Sequence, residues 1–125
     1  MHYASDVRPI LDRRCIGCHG GKEPAGGLAL TGDLYDFDES YLNLIKKNLV
    51  GHVITSVSLP PLTFGSHQSG LVRRIREAPC NAGLTREEFI RIVTWVDADV
   101  PYFGTHDGKK TATWKNEPDY RPLPD

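Results

Sequence analysis

Residues 15–19 read Cys15-Ile16-Gly17-Cys18-His19, two thiols three positions apart followed at once by an imidazole. At the end of a helical turn, this spacing lets both sulfurs reach the two vinyl groups on one edge of a porphyrin as thioethers. The next side chain then turns its ring under the iron, and Cys-x-x-Cys-His reads as a c-type haem attachment site. With three Cys and five His in 125 residues, random placement produces only about 0.003 such motifs. Two other chemistries share part of the pattern. A thioredoxin-like redox pair has the same Cys spacing but expects a βαβ context, which this sequence lacks. A structural zinc site needs a further pair of ligands, and only Cys80 and scattered His remain for it.

The other face of the iron is less determined. The chain's one Met is Met1, on the near side of the attachment helix, so the common sulfur ligand is excluded. That shifts expectation toward a low-potential bis-His haem, or toward five-coordinate iron with a reactive face. His67 is the first choice, because Pro60-Pro61-Leu62-Thr63-Phe64-Gly65-Ser66 forms a rigid extended lead-in that can hang an imidazole over the porphyrin. His52 follows a helix C-terminus, where an imidazolium is favoured without any metal. His106 and His2 are weaker candidates. Cys80 is by default a buried inert thiol, with ligation left open by its place between two helices. Leu28 and Leu30 can cover the porphyrin face. Trp95 reads as a core aromatic or a haem-edge contact, and Arg73, Arg74 and Arg76 can pair with propionates or simply stay solvated.

The elements that must position these groups are short helices. Ser5 or Asp6 can cap a first helix that tolerates Pro9 in its opening turn and runs through Val7, Ile10 and Leu11 toward Cys15. Residues 20–33 form a glycine-rich loop around Leu28-Ala29-Leu30. A second helix is predicted over 39–50 from Tyr41, Leu42, Leu44, Ile45 and Leu49, stopped by Gly51. Ser69 caps a third, with Leu71, Val72 and Ile75 inward and Pro79 ending it. The fourth has the strongest signal: Thr85 and Glu88 form a capping box ahead of Phe89, Ile92, Val93 and Val96. The expected architecture is a small all-α, cytochrome c-like domain of about four helices over residues 1–105. Long Gly/Pro-rich loops surround one covalent haem, and residues 106–125 make a polar, Pro-rich tail.

Composition bounds the rest. A length of 125 residues suits one domain. Fifteen basic against 16 acidic residues give a net charge of −1, which offers no field for nucleic acid or anionic lipid. Apolar runs are too short for a membrane span. Three Cys, an odd number, argue against a pure disulfide framework. Met1-His2-Tyr3 leads directly into a polar helix-like segment with no secretory leader in view. The expectation is a cytoplasmic chain or a mature region cut from a longer precursor or multidomain protein, and the cysteine chemistry favours the second, in a periplasmic or equivalent extracytoplasmic compartment.

Val7-Arg8-Pro9-Ile10-Leu11 before Cys15-Ile16-Gly17-Cys18-His19-Gly20, then Gly26-Gly27-Leu28-Ala29-Leu30, resembles the planctomycete-type cytochrome c domains. Pro60 to His67 and Thr94-Trp95-Val96-Asp97-Ala98-Asp99-Val100-Pro101-Tyr102-Phe103-Gly104-Thr105 resemble the C-terminal haem domain of the hydrazine synthase alpha subunit and its relatives. The resemblance spans roughly residues 5–105. It implies an extracytoplasmic c-type haem domain, often fused to larger proteins, that relays electrons to or from a redox partner or an attached enzyme domain. The family pattern often has a His between the last two helices, where this chain has Pro79-Cys80-Asn81. The expected activity is one-electron transfer without catalysis. The alternative is a five-coordinate haem protein that binds or reacts with a small ligand, sensor or peroxidase-like.

Overall fold

The structure, a computed structural model, describes residues 1–32, 37–51, 53, 58–81 and 83–104. It is all-α, and no β-strand occurs among the described residues. The order is a π-helical turn Tyr3–Val7 continuing into α1 (Arg8–Arg14), α2 (Ile16–His19), a 3-10 turn Ala25–Gly27 and α3 (Glu39–Lys46). A 3-10 turn Gly65–His67, α4 (Gly70–Arg74) and α5 (Arg86–Asp97) follow.

The first helical segment starts earlier than its sequence suggests. Neither Ser5 nor Asp6 caps it as an N-cap; the Asp6 carboxylate instead reaches back to accept from the His2 backbone N–H at 2.7 Å. Pro9 lies in the first turn of α1, where its missing N–H costs nothing. Asp38 caps α3, accepting from the Ser40 backbone N–H at 2.9 Å. This helix stops at Lys46, not at the predicted Val50, because Asn48 takes a left-handed φ of 51°. There the Leu49 N–H returns to the Leu44 carbonyl and the Asn48 N–H to the Ile45 carbonyl. Asn is the side chain after Gly best able to do this, so the stop signal was present three residues before Gly51.

Ser69 caps α4, its hydroxyl accepting from the Val72 N–H at 3.1 Å. Leu71, Val72 and Ile75 are buried while Arg73, Arg74 and Arg76 are exposed. The regular helix ends at Arg74, before Pro79, and the chain continues in turns to Asn81. Around α5 both halves of the Thr85–Glu88 capping box are present. Its C-terminus closes like that of α3, with Asp99 at φ 66° and the Val100 N–H on the Trp95 carbonyl.

The 3–14 segment and α5 lie in opposite directions, pairing Asp6 with Arg91 and Arg14 with Glu88. Between them sits a core of Tyr3, Val7, Ile10, Leu11, Ile92, Trp95 and Val96, extended by Leu30, Leu44, Val50, Leu71 and Val72. Its centre is aromatic. Tyr3 meets Trp95, Tyr41 and Tyr102 with ring centroids 5.3, 5.1 and 5.7 Å away, inside the range for favourable ring pairs. Beside it runs a buried polar chain: Asp38 is 1% exposed, is paired with Arg8, and accepts from the Ser40 hydroxyl. Arg8 also bonds Asp12 at 2.7 Å and the Gly32 carbonyl at 3.4 Å, which ties α1 to the far end of the 20–32 loop. The predicted tail, 106–125, lies outside the described residues. Among the described residues no helix is long and apolar enough to cross a membrane.

Candidate metal centre

Cys15 follows the last residue of α1, its N–H still bonded to the Leu11 carbonyl at 2.8 Å. Its own carbonyl accepts from both Cys18 (3.1 Å) and His19 (2.9 Å), so one tight turn fixes the two thiols and the imidazole together. Cys15 is half-buried, Cys18 exposed and His19 partly buried, and all three Cys of the chain are free thiols. Burial pushes the Cys15 thiol up to about 11, with smaller contributions from Cys80, Glu88 and Cys18. It is therefore a protonated, slow thiol at neutral pH.

The decisive local feature is the ring of His19. Its Nδ1 lies 3.1 Å from the Leu28 carbonyl oxygen, an acceptor only, so Nδ1 bears the proton and donates. That leaves Nε2 as a free lone pair, the form in which imidazole binds a metal, with the ring orientation held from behind. The 28–30 strap that supplies this carbonyl is itself anchored. The Leu30 N–H donates to the His19 carbonyl at 2.8 Å, and the Asn43 side-chain amide donates to the Ala29 carbonyl at 2.9 Å. Gly20 makes the close passage possible: a Cβ there would sit 2.6 Å from the Ile16 carbonyl oxygen and 3.3 Å from Thr31. Two thiols, an aligned imidazole and a backbone strap form a donor set that fits a thioether-linked haem. Among the described residues no three His, Cys, Asp or Glu side chains are grouped as a polyhedral metal site.

The turn is also clamped to α5. Glu88 takes Arg14 at 3.0 Å and Arg13 at 3.3 Å. The backbone hydrogen bond from Thr85, together with the Arg14 and Arg13 guanidiniums, holds its carboxyl at about 2, below the ordinary value. Gly83 packs against the Arg14 guanidinium, a Cβ there being 3.4 Å from it, so the loop bearing Cys80 lies beside the end of α1. Cys80 is exposed, not the buried thiol expected by default.

The remaining sequence candidates fall in different places. Leu28 is partly buried, with its carbonyl beside the His19 ring, whereas Leu30 is only 2% exposed and belongs to the core. Trp95 is 0% exposed, ringed by Tyr3 and Tyr41, with its indole N–H on the Pro101 carbonyl at 3.0 Å, so of its two readings the core one describes it. Arg76 rests over the Phe89 ring at 5.8 Å, while Arg73 and Arg74 point to solvent. His67 is exposed in the 65–67 turn, which packs on α5. The Ser66 N–H donates to Asp97 at 2.7 Å, and Gly65, at φ 62°, is close enough to Asp97 that a Cβ would lie 2.7 Å from its oxygen. Asp97 and Glu88 stand at opposite ends of α5, about 13 Å apart along its axis at 1.5 Å per residue. The described contacts thus put the turn bearing His67 at the other end of α5 from the Cys15–His19 turn. His52 and His106 lie outside the described residues, and His2 sits at the start of the first helical turn, near Tyr102 and Phe103.

Sequence reasoning missed the Leu28 carbonyl and the Arg8–Asp38 pair. A backbone acceptor has no residue signature, whereas Asp38 directly before a helical pattern was a legible N-cap. No protein-family model matches the chain, nor does any curated protein or solved structure.

Proposed function

We propose that this chain is an extracytoplasmic, cytochrome c-like electron-transfer domain. One haem c is held through Cys15 and Cys18, with His19 as the proximal iron ligand. The observation that supports this most is the His19 Nδ1–Leu28 carbonyl hydrogen bond, which presents Nε2 alone beside two thiols at attachment spacing. When bound, the haem supplies a ferric/ferrous couple. The chain's own residues do the rest. Leu28 fixes the ligand ring and raises its basicity, which favours the ferric state and lowers the potential. Glu88, Arg13 and Arg14 hold the turn on α5, and Leu28 shields the haem face from water. The resemblance to planctomycete-type cytochrome c domains points the same way. The natural partner is a redox protein or an enzyme domain of a longer parent chain. Balanced charge suits a small transient contact or a covalent neighbour.

His67 is proposed as the distal ligand, and its position by Asp97 favours a second reading: an open sixth site that takes a small ligand such as carbon monoxide or peroxide. Protein matured in a bacterium with haem-attachment machinery should gain the mass of one haem and show a c-type pyridine haemochrome. The bare polypeptide mass would sink both readings. Carbon monoxide separates them, leaving a six-coordinate spectrum nearly unchanged and binding fast to an open iron. His67→Ala converts low-spin to high-spin if His67 ligates, and leaves the spectrum unchanged if it does not.

A further inference from the structure

We propose that Tyr3 is a redox-active tyrosine, a buried phenol that takes a single oxidising equivalent from the surrounding aromatic cluster and passes its proton through Ser40 to Asp38. Direction is set by counting hydrogens. The Ser40 hydroxyl has one proton and donates it to Asp38 Oδ1, so in the 2.5 Å contact between Tyr3 and Ser40 the phenol must be the donor. The result is a two-step proton path from a fully buried phenol to a fully buried carboxylate.

The other rings are placed to deliver the oxidising equivalent. Trp95, Tyr41 and Tyr102 surround Tyr3 with centroids within 5.7 Å, and Tyr102 and Tyr41 lead on to the partly exposed Phe37 edge of the cluster. Their own polar atoms end elsewhere. The Trp95 indole donates to the Pro101 carbonyl and the Tyr41 phenol to the Val100 carbonyl, neither of which holds a transferred proton. The Tyr102 oxygen accepts from the Asp38 backbone N–H. Of the three described tyrosines, Tyr3 alone has its proton aimed down a chain to a carboxylate. Burial also raises its phenol well above the ordinary tyrosine value, so it starts protonated and must lose electron and proton together.

The step balances. An outer-sphere one-electron oxidant accepts the electron and the Tyr3 O–H bond breaks. A new O–H forms on Ser40 as the original Ser40 proton moves to Asp38. The products are a neutral phenoxyl radical, a carboxylic acid and the reduced oxidant. This inference does not rest on the haem reading.

The test uses the full chain with photogenerated tris-bipyridine ruthenium(III) as oxidant, a cobalt(III) ammine as quencher, and freeze-trapped EPR. Wild type should give a neutral tyrosyl signal that forms more slowly in deuterated water. Tyr3→Phe should lose that signal and leave a tryptophan radical, while Tyr41→Phe retains it. Ser40→Ala should slow formation and abolish the isotope effect. A tyrosyl signal that survives Tyr3→Phe, or that vanishes with Tyr41→Phe, would overturn the assignment. Tyr3→Phe removes one oxygen from an intact ring, and circular dichroism verifies its fold. Soret absorption of the same samples reports the haem question separately.

Discussion

Replacing Asp38 with Asn isolates one charge in a buried polar cluster. Asn caps a helix as well as Asp does, so the bond from the Ser40 N–H survives. The Arg8 guanidinium, however, loses its anion and meets an amide whose donors repel its own. Breaking a buried pair from one side costs about 3–5 kcal/mol. Arg8 is 17% exposed and keeps Asp12, so solvent and that second carboxylate screen the orphaned charge and bring the loss to the bottom of that range or just under it. A loss of about 2–3 kcal/mol corresponds to a melting point roughly 8–12 °C lower for a domain of this size. Urea and thermal unfolding followed by near-UV circular dichroism measure it. The matching cycle with Arg8→Met and the double variant should be non-additive, the pair costing clearly less than the sum of its halves. An additive cycle, or an Asp38→Asn loss under about 1 kcal/mol, would refute the argument that these charges depend on each other.

Three shorter expectations follow from the Cys15–His19 turn and its surroundings. Glu88 has a depressed carboxyl, so its contribution is fully present above about pH 4.5 and is lost as pH falls toward about 2; Glu88→Gln should flatten that acid limb of the stability profile. Gly20→Ala forces a Cβ into the Ile16 carbonyl and should cost about 1–3 kcal/mol and lower the fraction of chains that acquire haem, read by the ratio of Soret to protein absorbance. In the haem-free chain, Cys15 is about a thousandth thiolate at pH 8, so iodoacetamide mapped by mass spectrometry should label exposed Cys18 and Cys80 first.

Sequence alone determined what local chemistry can specify. The Cys15–His19 spacing, the Thr85–Glu88 box, the Ser69 cap and the inward faces of α4 and α5 all depend on neighbours within four residues. Helix ends were less legible. Gly51 outranked Asn48 on propensity, yet the left-handed turn at Asn48 closes α3 because Leu49 and Val50 must turn back into the core. Tertiary structure decided everything that joins distant segments. The acceptor behind His19 is a backbone carbonyl nine residues on, and a carbonyl has no signature in sequence. Trp95 is a core residue because Tyr3 and Tyr41 arrive from separate helices to enclose it. His67 follows a rigid lead-in along the chain, and packing adds that Gly65 and Ser66 dock on Asp97 at the C-terminal end of α5. Spacing names the groups that can react; only packing fixes which of them share a space.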